Sequence, residues 1–127
     1  MESMAFTLAD YMILRAAAQK YQEKQETMLK GATGAARRKV LENIINLDLA
    51  ISRCDRRECS FTLIECAMLT DALQHYRGIL PESSESAHLM IPVLFRKLAA
   101  LCEEMRLEDT QDRPGVAIRD AIGGTSF

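Results

Sequence analysis

The chain has 127 residues, 48% of them hydrophobic and 27% charged, a balance that supports one compact core and excludes a chain too polar to fold. Sixteen basic against eighteen acidic residues give a formal charge of −2, without the cationic field that nucleic-acid and anionic-membrane binders use. No apolar run approaches the roughly twenty residues of a membrane helix, the acid-bearing start MESMAFTLAD lacks the basic opening of an export signal, and four cysteines are too sparse for a disulfide framework. A reduced, cytoplasmic protein without a membrane partner is the expectation.

The first element is announced by FTLADYMILRAAAQKY, Phe6 to Tyr21. Thr7 stands where an N-cap hydroxyl accepts a backbone N–H, and Asp10 follows three residues later to reach back, a capping box. Phe6 before the cap and Tyr11 after the acid are placed to close a hydrophobic staple. Ile13, Leu14, Ala17, Ala18 and Tyr21 then recur at spacings of three and four, one face of a helix. Beyond Tyr21 two readings stay open: a helix unbroken to Leu29, or one fraying within the polar QEKQET, Gln22 to Thr27.

After a break at Lys30–Gly34, Val40, Leu41, Ile44, Leu47 and Ile51 mark the core face of a second helix from about Ala35 to Arg57. The stretch FTLIECAMLTDALQHY, Phe61 to Tyr76, then repeats the first with seven identities in sixteen positions. Thr62, Glu65, Phe61 and Cys66 repeat the cap and staple, and Met68, Leu69, Ala72, Leu73 and Tyr76 repeat the stripe. A second break carries Gly78, Pro81 and a serine-rich run. Leu94, Phe95, Leu98, Leu101 and Met105 mark the fourth helix, which Pro92 is expected to open at its first turn, where a missing N–H costs little. The second and fourth patterns superimpose with one residue of slippage. An all-α fold follows: a four-helix bundle built from two tandem αα-hairpins by internal duplication. The hairpins span about 6–57 and 60–106 of a single domain, 1–106, and a C-terminal tail covers 107–127.

Chemistry-bearing patterns are sparse. Cys54 and Cys59 are separated by four intervening residues with no CxxC or HxxxH, so no metal site or cofactor is expected, and Cys66 and Cys102 lie on or beside apolar stripes. GATGAARR, Gly31 to Arg38, has the small residues of an anion loop but neither a preceding strand nor a Lys-Ser/Thr ending. Glu103 and Glu104 point to different sides of a helix, and no nucleophile stands with a base. No enzyme activity is expected. Arg53, Arg56 and Arg57 crowd the end of the second helix, with Arg37 and Arg38 at its beginning. They fit either cations complementing the helix dipole or a cluster gripping an anion or an acidic partner surface. In the tail, Arg113, Ile118, Arg119, Ile122 and Phe127 stand outside the repeat and complete the candidate partner-binding set.

FTLIECAMLTDALQHYR, Phe61 to Arg77, and less closely Phe6 to Tyr21, resemble short helical-hairpin proteins encoded by phages and mobile elements of Gram-positive bacteria. The resemblance implies a small non-enzymatic protein acting on a host or phage partner, such as an inhibitor of a bacterial defence system of the CRISPR-nuclease kind. It transfers no functional residue, because the matched positions are caps and core. A protein-binding module is therefore the leading expectation. The alternatives are a homodimer or larger oligomer sequestering a nucleotide or other anion between its arginines, and a nucleic-acid-binding regulator, which the charge disfavours.

Overall fold

A computed structural model describes residues 5–111 of the chain. It is an all-α four-helix bundle with no strand among the described residues: α1 (Leu8–Leu29), α2 (Gly34–Asp55), α3 (Leu63–Ile79) and α4 (Glu85–Gln111). Both predicted capping boxes form. Asp10 N–H donates to Thr7 Oγ1 at 3.1 Å while Thr7 N–H donates to Asp10 Oδ2 at 2.9 Å. The second copy matches it, with Glu65 N–H to Thr62 Oγ1 at 3.1 Å and Thr62 N–H to Glu65 Oε1 at 3.0 Å. Phe6 meets Tyr11 at 5.7 Å between ring centroids, the staple expected from their positions, and Phe6 also meets Phe61 at 6.0 Å, so the two helix entries are tied together.

That contact, with Tyr21 against His75 at 5.7 Å further along, sets α1 and α3 side by side and parallel. α2 runs back along both of them. α4 runs back along α3, with Arg77 over the Phe95 ring, and reaches α1 near its start, while α2 and α4 do not touch. Leu14, Ala17 and Ala18 of α1 face Leu69, Ala72 and Leu73 of α3 in one core, closed on the flanks by Leu47 and Ala50 and by Ile91, Leu94 and Leu98, all fully buried. Small alanines in the central stripes let two helix backbones approach closely, and the larger residues of the flanks fill the space around them.

α1 runs unbroken to Leu29. Its polar second half is held by side-chain bonds to α2: Gln22 donates to the Ile44 carbonyl at 3.1 Å and to Asp48 at 2.7 Å, and Asn43 donates to the buried Gln25 at 3.1 Å. α2 occupies Gly34–Asp55 rather than Ala35–Arg57, and Gly34 enters it at φ +61°, a left-handed conformation that glycine takes without a Cβ clash. Two expectations about α4 are corrected. The helix starts at Glu85, not at Pro92, because the Ser84 carbonyl accepts His88 N–H and begins the turn seven residues earlier. Pro92 sits inside it on the exposed side, and burial of Ile91 and Leu94 against the core offsets the lost backbone bond. The same helix runs on to Gln111, past the tail boundary expected at 107.

Leu41 is also corrected: predicted in the core stripe of the second helix, it is 39% exposed. No helix of the described residues is long and apolar enough to cross a membrane.

Candidate functional site

The end of the bundle where α1 and α3 begin gathers most of the polar chemistry. Asp10 and Glu65, the two capping acids, are 3% and 1% exposed, and each receives a cation from a flanking helix. Lys97 of α4 reaches Asp10, and Arg53 of α2 donates its Nε–H to Glu65 Oε1 at 2.6 Å. A buried carboxylate is tolerable only when its lone pairs and charge are both answered. Here the backbone of the cap answers one and the flanking cation the other.

This geometry decides what the arginine cluster does within the fold. Arg53 is committed to Glu65, with Ser60 and Glu58 as secondary partners at 3.4 and 3.8 Å. Arg56 donates to Glu58 at 3.1 Å and to Ser52 at 2.7 Å. Arg57 is exposed and adopts φ 58°, closing α2 with Glu58 N–H to the Arg53 carbonyl at 2.9 Å and its own N–H to the Cys54 carbonyl at 3.0 Å, a Schellman termination. An L-residue in that conformation is strained where glycine is not. Arg57→Gly is therefore expected to stabilise the protein by about 1 kcal/mol, read as a higher urea midpoint. The remaining candidates, Arg113, Ile118, Arg119, Ile122 and Phe127, lie outside the described residues.

The thiols are buried or isolated. Burial pushes the Cys54 thiol up to about 12, with the Asp55 carboxylate adding to it and Arg15 opposing. Burial and the neighbouring Cys102 push Cys66 up to about 12 as well. Both thiols stay protonated in the fold and ionise near 9 when the chain unfolds. The folded state then holds more protons across that window, so their contribution is full below about pH 9 and is lost as pH rises towards 12. Urea midpoints measured between about pH 8 and 11 are expected to fall with pH, and more shallowly for Cys54→Ala/Cys66→Ala. Cys59 is exposed and within hydrogen-bonding reach of Tyr11, beside a cavity of about 240 Å³ whose ammonium, Lys97, already serves Asp10. His75 and His88 pack at the opposite end, against Tyr21 and the Pro81 carbonyl, far from any of these thiols. Among the described residues no group of His, Cys, Asp and Glu side chains could hold a metal ion.

What the sequence reading missed is the outer face of α2. Leu41, Ile45 and Leu49 are 39%, 58% and 47% exposed, spaced i, i+4, i+8. At 3.6 residues per turn they span an arc of about 80° and a length of about 12 Å. Val40, Leu47, Ala50 and Cys54, the buried residues of the helix, occupy the opposite side. α2 is therefore apolar on two faces, only one of which the bundle covers. The signal was present as an excess: apolar residues at 40, 41, 44, 45, 47, 49, 50 and 51 are too many for one stripe. Arg37 and Arg38 flank the start of this face, and among the described residues neither has a carboxylate partner. The first turn of α2 contains no acid, and Thr33 makes no side-chain cap. Its polar neighbours at the far end are answered within the bundle: Asp55 by Arg15 at 2.6 Å, Asp48 by Gln22, and Arg56 by Glu58.

No protein-family model matches the chain, and neither a curated protein nor a solved structure matches it.

Proposed function

We propose that the protein is a small non-enzymatic binding module that captures a protein partner through the outer face of α2. The observation that carries this reading is the uncovered stripe of Leu41, Ile45 and Leu49 on a helix whose other face already supplies the core. Single exposed apolar residues are ordinary on a protein surface, and the pairs elsewhere, Leu8 with Met12 or Leu89 with Val93, are of that kind. Three in helical register beside two unanswered arginines form the longest such stripe on the described surface. The resemblance of Phe61–Arg77 to phage and mobile-element hairpin proteins adds a direction, inhibition of a host defence machine, and the repeated cap and stripe favour an origin by duplication.

The anion-sequestering alternative loses its main support, because Arg53 and Arg56 hold Glu65, Glu58 and Ser52. Affinity purification from the source cells with three baits tests the module reading: the wild-type chain, Ile45→Asp, and Ile64→Asp as an exposed apolar control on α3. Proteins retained by the wild type and by Ile64→Asp but lost with Ile45→Asp are the expected outcome. Identical retention by all three sinks the assignment to α2.

A further inference from the structure

The stripe and the charges beside it restrict what the partner can be. Side chains spaced by four form a ridge along a helix, and the natural complement of a ridge is the groove between the ridges of another helix. Leu41, Ile45 and Leu49 match two to three turns of such a helix. Charge then sets its polarity. Among the described residues Arg37 and Arg38 at one end are unanswered and outnumber the one acid beside them, Glu42, whereas at the other end Arg56 is neutralised by Glu58 and Asp55 by Arg15, and Asp48 keeps its charge beside the neutral Gln22. We propose that the outer face of α2 receives an amphipathic helix of a partner protein, its apolar seam laid on Leu41, Ile45 and Leu49 and its acidic end set against Arg37 and Arg38. This rests on the reading of that face as the capture surface and adds the chemistry and direction of its occupant.

A second copy of the chain fits less well. An antiparallel pairing centred on Ile45 brings Leu41 to Leu49 but sets Arg38 against Ser52, where it meets no acid, and a parallel pairing sets each Arg38 against its own copy. The first leaves that cation unanswered and the second places like charges together, which costs affinity. A nucleic acid is disfavoured for a different reason: the space between the cations is filled by three aliphatic side chains, with no aromatic platform for a base.

Two labelled, hydrocarbon-stapled helical peptides test the proposal by fluorescence anisotropy with the full chain. Both carry leucines at i, i+4 and i+8; one bears three glutamates in its first turn and the other three lysines. The acidic peptide is expected to bind at least tenfold more tightly than the lysine peptide, to lose binding on Ile45→Asp, and to give way to the lysine peptide on Arg37→Glu/Arg38→Glu. That double variant is safe for folding, since acids in the early turns of a helix favour it. A photo-cross-linker at the acidic end is expected to label residues around Arg37 to Leu41. Equal binding of the two peptides, binding unaffected by Ile45→Asp, or no binding by either overturns the acidic-helix occupant. If affinity capture is still lost with Ile45→Asp in any of those cases, the module reading stands and only its partner chemistry falls.

Discussion

Arg53→Ala is expected to lower stability by about 3–5 kcal/mol, which places it among the most damaging single changes in the protein. The reason is the partner it abandons. Glu65 is 1% exposed and is fixed in place by its own cap, so its carboxylate cannot swing out to water when the guanidinium is removed. A buried charge left without its counter-ion costs far more than the pair contributes relative to an apolar substitute. Arg56→Ala breaks contacts of the same type at the surface, with Glu58 and Ser52, and its cost is expected below about 1 kcal/mol. Urea unfolding of the two variants side by side reads the difference. Arg53→Glu is expected to be worse than Arg53→Ala, because it sets a second carboxylate beside Glu65. Loss of partner capture in a variant carrying that change is therefore a loss of fold.

Leu69→Ala is expected to cost about 2–5 kcal/mol. Leu69 is fully buried in the second copy at the position that Leu14 holds in the first. The two lie on neighbouring parallel helices inside a single core cluster. A cavity there removes contacts from both hairpins at once, and the surrounding alanines, Ala17, Ala18 and Ala72, are too short to collapse into it. The transition is expected to stay cooperative, with circular dichroism and tyrosine fluorescence giving one midpoint. Separate midpoints for the two probes would mean that the hairpins fold as independent units.

The caps and the central stripes were legible from sequence because their determinants are local. Thr7 with Asp10, Thr62 with Glu65, and the three-and-four spacing from Ile13 to Tyr21 each declare themselves within one or two turns. The ion pairs were not legible. Asp10 and Lys97 are 87 residues apart and Arg53 and Glu65 belong to different helices, so only the packing of α1 against α4 and α2 against α3 brings them together. The start of α4 was misplaced because Pro92 is a strong local signal, overruled by the turn at Ser84 and by burial of Ile91 one residue earlier. Helix α1 was open between two lengths because the bonds that decide it, from Gln22 and to Gln25, have their other partner on α2.

The outer face of α2 was hidden for a related reason. Periodicity identifies an apolar face but does not say how many faces a helix has or which one a neighbour covers. Leu41 lies at the margin of the stripe that carries Val40 and Ile44, so spacing alone groups it with the core, while Ile45 and Leu49 fall outside that stripe. The bundle geometry separates them. With α1 and α3 on one side of α2 and no other described helix against it, the same helix serves stability with Leu47 and presents Ile45 outward.

That division is tested most directly by measuring the urea stability of Ile45→Asp and Leu47→Asp, two neighbours on one helix facing opposite ways. Leu47→Asp buries an unpaired carboxylate and is expected to unfold the protein, while Ile45→Asp is expected to stay within about 0.5 kcal/mol of the wild type. A loss of several kcal/mol with Ile45→Asp would mean that the stripe is already covered in the free protein, and would contradict its assignment as a surface waiting for a partner.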